Sequence, residues 1–356
     1  MDIRDTMAYK YYSIYRAKNE KNENDYVNNK ISRELLNKLG RKTDVEFIEN
    51  LKKVVNQYNN GQGPYMVAEF YPGWLAHWAE PHPKVDASGI ARQTEKYITN
   101  DVSFNFYMVH GGTNFGFTSG ANYDKNHDIQ PDLTSYDYDA PINESGLTTP
   151  KFWELRNMMQ KYNDGKKLPA VPKPIAQIIS IPKLRLNEFS PLINGCDSFV
   201  NTGDDLTMEA ADMGWGSMVY TNTLPAIANP STLYINDCHD FAQVFINNKY
   251  IGSIDRVKNE KNISLPAVNE GDKLTIVIEA MGRINFGRAI KDYKGITKDV
   301  TIDTNDGNHL LTYTLKGWQT AKIADDCNTA EKALSKISQH ATDNMMGNRG
   351  YYRGYF

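Results

Sequence analysis

Between Gly165 and Pro174 the chain reads GKKLPAVPKP, and the hydrophobic pattern obeys a different period on either side of it. Three prolines in ten residues fix φ and remove backbone donors, so neither a helix nor a strand ladder runs through. Ahead of this linker, apolar residues recur at helical spacing and alternate with short apolar runs. Behind it they alternate in short runs separated by turn residues, the pattern of half-buried strands. One chain therefore has to build a mixed helix-and-strand part and then an all-strand part.

In the first part, Asp44 to Tyr58 (DVEFIENLKKVVNQY) puts Phe47, Ile48, Leu51, Val54 and Val55 on one helical face, with Asp44 able to cap. Asn59 to Pro64 stops that helix. Tyr65-Met66-Val67-Ala68 then reads as a buried strand ending on the carboxylate of Glu69. The order repeats: Ala87 to Thr99 is an amphipathic helix with Ser88 placed to cap, and Val102 to Val109 is a strand. Trp153 to Tyr162 reads as a closing helix. Helix, Gly-rich loop, buried strand and functional loop, in that order, is the rhythm of a (β/α) barrel, though far fewer units are visible than a closed barrel uses. Beyond the linker, Thr232–Ile235, Phe241–Ile246, Tyr250–Ile254 and Lys273–Ile278 read as strands. They are joined by Asn247-Asn248-Lys249 and Asn269-Glu270-Gly271 turns, which argues a β-sandwich or jelly roll. The sequence ends in an aromatic, strand-like run, Gly350 to Phe356.

Composition excludes several classes. A net charge of −3 gives no electrostatic case for nucleic acid or an anionic membrane surface. No apolar run approaches the ~18–20 residues of a membrane span. The first residues, MDIRDTMAYKYYSIYRAKNEKNEN, have no apolar core of signal-peptide type. Cys196, Cys238 and Cys327 are odd in number and far apart, so they make neither a disulfide framework nor a metal-ligand pattern.

The chemistry concentrates in Pro64 to Trp78, PYMVAEFYPGWLAHW. A carboxylate at a strand end, beside Tyr71, Trp74 and Trp78, suits a sugar cleft. Aromatic faces stack on the apolar face of a pyranose, and a carboxylate there can attack or protonate a glycosidic bond. Read as structure alone, Glu69 caps the strand and the rings fill core. A second loop, His110 to Gly116 (HGGTNFG), lets backbone approach a ligand while Thr113 and Asn114 offer hydrogen bonds. It is no phosphate loop, because no Gly-Lys-Ser/Thr follows. His77 and His110 read as packing or hydrogen-bonding histidines, and Asp137 and Asp139 as residues that fix loop geometry. Phe115 and Phe117 suit core or cleft equally, and Arg256, Arg283 and Arg288 suit a structural or interdomain role.

Three stretches carry a family resemblance: AEFYPGWLAHWAEP (68–81), YMVHGGTNFGFTSGANYD (107–124) and LTSYDYDAPINESG (133–146). They resemble the β-galactosidases of glycoside hydrolase family 35. WGSMVY (215–220), CHDFAQVFINNKYIG (238–252) and IEAMGRINFGRAI (278–290) are similar to the galactose-binding-like jelly roll of that family. The resemblance implies an α/β plus all-β chain, the C-terminal portion of a (β/α)8 TIM barrel followed by a β-sandwich. Residues 1–43 would be an unmatched or disordered lead. Residues 44–164 would be barrel, 165–205 the Pro-rich linker with connecting strands, and 206–356 the sandwich domain, truncated at its end.

It also implies a retaining exo-β-galactosidase, acting on terminal β-galactose of an oligosaccharide or glycoconjugate, without metal or organic cofactor. Glu69 matches the family's nucleophile. Tyr107 and Tyr138 match tyrosines that contact sugar or orient the nucleophile. Tyr71, Trp74 and Trp78 align with the aromatic loop, and Asn114 with the Gly-Gly-Thr-Asn turn.

A retaining glycosidase needs a second carboxyl as acid/base. In the family it follows an Asn at the end of an earlier strand, well upstream of the nucleophile. The Asn-Glu pairs at 19–20 and 22–23 lie in a polar run with no apolar strand before them, and Asn143-Glu144 is out of place. The chain is thus expected to be a piece of a longer, exported (periplasmic or extracellular) enzyme, carrying the nucleophile without its acid/base and inactive alone. Its expected partner is the missing N-terminal part. The alternative is a non-catalytic carbohydrate-binding protein or a remnant.

Overall fold

A computed structural model describes residues 46–173, 179–181, 183–228, 230–305, 307, 309–323, 327–336 and 349–355. The lead 1–43, both early Asn-Glu pairs and Asp44 lie outside the described residues. The described residues form two compact units, and the division is not a single cut along the chain. One unit holds 46–75, 83–112 and 137–173; the other holds 76–82, 113–136 and the residues from 179 onward.

The first unit is built on helix α1 (46–58), strand β1 (Tyr65–Phe70), helix α2 (Ala87–Thr99), strand β2 (Val102–Phe106) and helix α3 (Pro150–Gln160). Strands β1 and β2 pair in parallel, with α2 as their crossover. All three helices pack on one face: Ile48 and Leu51 of α1, Ile90 and Tyr97 of α2, and Leu155 and Met158 of α3 meet Val67, Phe70 and Val102. The opposite face is open, with Met66, Ala68, Ser103 and Asn105 exposed. Expectation and structure differ here. The 65–68 run is covered on one side only, because a two-stranded sheet with helices on one face buries every second residue. The strand expected to reach Val109 ends at Phe106, where its pairing with β1 runs out at Phe70. The α2 cap is Asp86, not Ser88: its carboxylate accepts the Gly89 N–H at 2.7 Å, the reach of a cap to the third residue on.

The second unit contains two antiparallel sheets. Its main strands are β3 (Ser217–Thr223), β4 (Ser231–Ile235), β5 (Phe241–Ile246), β6 (Lys249–Asp255), β7 (Asn262–Leu265), β8 (Lys273–Glu279), β9 (Val300–Asn305), β10 (Leu310–Thr314) and β11 (Gln319–Ile323). One sheet orders β6-β5-β8-β3-β11, with Val200–Asn201 at its edge; the other orders β7-β4-β9-β10. Alternate residues of both enter one core, among them Tyr220, Leu233, Val244, Ile276 and Ile302, all fully buried. Two sheets sharing one core make a β-sandwich. The β5–β6 hairpin turns on Asn247 (φ 47°) and Asn248 (φ 65°), both left-handed, as a two-residue hairpin whose twist matches its strands requires. Among the described residues, no helix is long and apolar enough to cross a membrane.

Candidate active site

Alternation along β1 would place Glu69 with Tyr65 and Val67 on the face covered by helices. It does not lie there. Val67 pairs with Phe104 and Phe70 with Phe106, so Ala68 and Glu69 together oppose Asn105. This bulge, held by Asn105 Nδ2 donating to the Ala68 carbonyl at 3.2 Å, hands the core position to Phe70 and turns Glu69 out to solvent. Re-aiming one side chain is what a bulge at a strand end accomplishes.

The Tyr71 hydroxyl donates to Glu69 Oε2. Its ring begins a closed set of four. Tyr71 lies edge-on to Trp74 (5.3 Å between centroids) and to Tyr107 (5.9 Å), and Tyr138 lies 5.9 Å from both Trp74 and Tyr107. Edge-to-face packing of this kind fixes ring planes as well as burying area. The sequence-predicted Glu69, Tyr71, Trp74, Tyr107 and Tyr138 therefore assemble in one unit. Two glycines permit it. A Cβ on Gly73 would lie 1.8 Å from the Tyr138 carbonyl oxygen, and one on Gly111 would lie 2.4 Å from that of Asp137.

Tyr138 and Asp139 both adopt left-handed backbone (φ 64° and 49°), which is costly for residues with a Cβ. What holds them is a clamp on Asp139. Its carboxylate accepts from Lys84 at 3.0 Å, from the Val85 amide at 2.8 Å and from Lys151, whose ammonium also donates to the Asp139 carbonyl at 2.6 Å. Burial pushes against the Asp139 charge, yet these donors hold the carboxyl below its usual range. Burial, foremost, also lowers Lys151. Asp137 accepts the Glu144 amide at 3.0 Å, so both aspartates shape the loop. Sequence reading missed Lys151. One signal existed: a lysine in the first turn of α3, where the helix dipole disfavours a cation.

Trp78 and Asn114 belong to the other unit. Trp78 is half exposed, and its N–H donates to the Pro131 carbonyl at 2.8 Å. Asn114 is half-buried and donates its side-chain amide to the Leu133 carbonyl at 3.0 Å. His77 is buried, Phe115 exposed. Arg256 is buried in an ion network, contacting Asp128 at 2.6 Å, Asp240 at 2.7 Å and Asp292 at 2.9 Å. Arg283 holds the carbonyls of Asp292 and Gly214, each at 2.6 Å, and the Arg288 N–H donates to the Tyr123 hydroxyl at 2.5 Å. Among the described residues, no cluster of three or more His, Cys, Asp or Glu side chains is arranged to hold a metal.

Residues 5–162 match the family model for glycosyl hydrolases family 35, and residues 205–316 match the first all-beta domain of beta-galactosidase. The first match begins inside the lead and takes in most of it. Beta-galactosidase 17 of Arabidopsis thaliana is 36% identical over 303 residues, covering 79% of this chain and 41% of that relative. The beta-galactosidase of Homo sapiens is 33% identical over 250 residues (68% and 36%), and that of Xanthomonas manihotis 32% over 259 (72% and 42%). A Pleurotus ostreatus lectin structure aligns with a TM-score of 0.23 at 12% identity over 62% of this chain and 51% of its own. That likeness is too slight to bear on the fold. The chain belongs to the glycosyl hydrolases of family 35, with a family-35 segment followed by an all-beta domain. It spans about two fifths of the length of the curated relatives it matches.

Proposed function

We propose that this chain carries the nucleophile half of a retaining β-galactosidase. The observation that carries the reading is the Glu69 carboxylate, turned out by a bulge at the end of a parallel strand and hydrogen-bonded by Tyr71, whose ring belongs to a closed set of four. In the whole protein, one Glu69 oxygen attacks the anomeric carbon as the glycosidic bond breaks, and the leaving oxygen takes a proton from the acid/base. Water then attacks the galactosyl ester, giving its proton to the same acid/base and regenerating Glu69. Tyr71, by donating to the other oxygen, keeps the carboxylate aimed. In this reading β1 and β2 are strands of a (β/α)8 barrel, the sandwich is a jelly roll, and the acid/base comes from a part of the enzyme that this sequence does not supply. The parent works outside the cytoplasm. A sugar-binding protein without turnover is the second reading, favoured only by the lack of an Asn-Glu pair that follows an apolar strand ahead of Glu69.

A substrate that needs no protonation of its leaving group separates the two. The chain is incubated with 2,4-dinitrophenyl 2-deoxy-2-fluoro-β-galactoside and followed by intact-mass spectrometry. One fluorogalactosyl adduct on Glu69, absent in Glu69→Gln, is expected. No adduct, or an adduct that persists in Glu69→Gln, overturns the nucleophile assignment.

A further inference from the structure

The four-residue stretch after Gln130 touches both loops of the second unit that carry expected sugar contacts. Gln130 donates to Glu80 Oε1 at 2.6 Å. The Pro131 carbonyl accepts the Trp78 N–H. Asp132 forms an antiparallel bridge with His77, and the Leu133 N–H donates to the Ala76 carbonyl at 3.1 Å. On its other side, the Leu133 and Thr134 carbonyls accept the side-chain and backbone N–H of Asn114 at 3.0 and 2.7 Å. One extended segment is thus the common ruler for Trp78 and Asn114.

Between this ruler and 76–80, beside their backbone hydrogen bonds, lies a buried polar pair. His77 is 7% exposed; its Nδ1 lies 3.1 Å from Glu80 Oε2, and its Nε2 lies 3.2 Å from Asn122 Nδ2 and 3.7 Å from Asp132 Oδ1. Asp132 is 9% exposed, and its Oδ1 makes no hydrogen bond. A buried carboxylate oxygen left without a donor is costly, and such groups persist where the arrangement serves something beyond stability. Gln130 also joins the two stretches through Glu80, whose other oxygen faces the far ring nitrogen of His77, and Asn122 comes from the Gly120–Asn122 strand alongside.

We propose that Asp132 and His77 are positioning residues, which set the register of 76–80 against 130–134 and thereby place Trp78 and Asn114 together. That these two residues face sugar rests on the function proposed above; the register itself does not. Asp132→Ala should release both stretches at once, while Asp132→Asn, which keeps the shape and a polar contact to the ring, should restore them.

Two measurements on the full chain test this separately. The first is amide hydrogen exchange, read by mass spectrometry, which makes no reference to sugar. Asp132→Ala and His77→Ala should each accelerate exchange at the Trp78 and Leu133 amides together, leaving the β5–β8 core protected, and Asp132→Asn should reverse it. Acceleration of one stretch alone, or of the whole sandwich, overturns the proposal. The second is binding of galactose to the full chain, read by isothermal titration calorimetry. Asp132→Ala should raise the dissociation constant about tenfold, the loss of one good polar or stacking contact. A coupled exchange response with no change in galactose affinity keeps the register and overturns its link to sugar. Absence of Glu69 labelling in the wild-type chain overturns the parent reading instead.

Discussion

At the scale of single residues, Asp132 has a thermodynamic signature as well as a geometric one. Burial raises its carboxyl to about 6, with His77 opposing the rise. A folded-state value above the ordinary one means that the folded chain holds the proton more tightly. Its stabilising contribution is therefore present at low pH and lost as pH rises from about 4 through about 6. The loss amounts to roughly 2–3 kcal/mol. Asp132→Asn removes the charge that is buried at neutral pH. In urea titrations it should gain about 1–3 kcal/mol at pH 7.5 and nothing at pH 4. An equal effect at both pH values would mean that the carboxylate is solvated. Glu69, by contrast, is exposed and accepts a hydrogen bond from the Tyr71 hydroxyl.

At the scale of elements, the candidate site is made where three segments of the first unit meet: the turn after β1, the turn after β2 and residues 137–141. Close backbone approach, more than side-chain packing, determines whether they fit. Gly73 is the tightest point, since a methyl there would sit far inside van der Waals contact with the Tyr138 oxygen, a backbone atom that cannot swing aside. Gly73→Ala should therefore displace Tyr138 and open the ring of aromatics while α1, α2, α3 and their core remain. Circular dichroism should be unchanged, and Glu69 labelling by the fluorogalactoside should fall by about 100-fold, the cost of an ångström-scale misplacement of groups around a reacting centre. Retained labelling would show that the loop yields freely.

At the scale of the molecule, the second unit is held by charge at its centre as well as by its apolar core. Asp240, Asp292 and Lys294 are buried, with Lys294 at 2.8 Å from Asp240 and 2.7 Å from Asp292, and Arg256 completes the set. Burial pushes the Asp292 carboxyl up, but His239, Lys294 and Arg256 outweigh it and hold it well below the usual range. Two cations against two carboxylates is a balanced network, and removing one member leaves a buried charge unmatched. Arg256→Met should cost about 3–5 kcal/mol in urea denaturation, more than its lost packing explains, and Arg256→Lys less. A loss under about 1 kcal/mol would show that water reaches the pair. Arg256 also reaches Asp128, so the loop 113–136 that carries Asn114 is tied to the same network.

What the sequence by itself determined was local. The helical and alternating periods located α1, α2, α3 and the sandwich strands β4, β5, β6 and β8 to within a few residues, and left β3, β7, β9, β10 and β11 unread. Asparagine pairs marked a hairpin, and the wording around Glu69, Tyr107 and Tyr138 named a family, because these signals lie within a turn or a strand of the residues they describe. Tertiary structure decided the rest. Whether Glu69 points to solvent or to the helices depends on a bulge that exists only in the pairing of β1 with β2. Lys151 acquires a role only when α3 packs beneath Asp139. The grouping of 76–82 and 113–136 with the sandwich rests on contacts such as Asp128 to Arg256, 128 residues apart. Periodicity carries no information over that separation: burial and charge pairing select among partners that only the folded chain brings together.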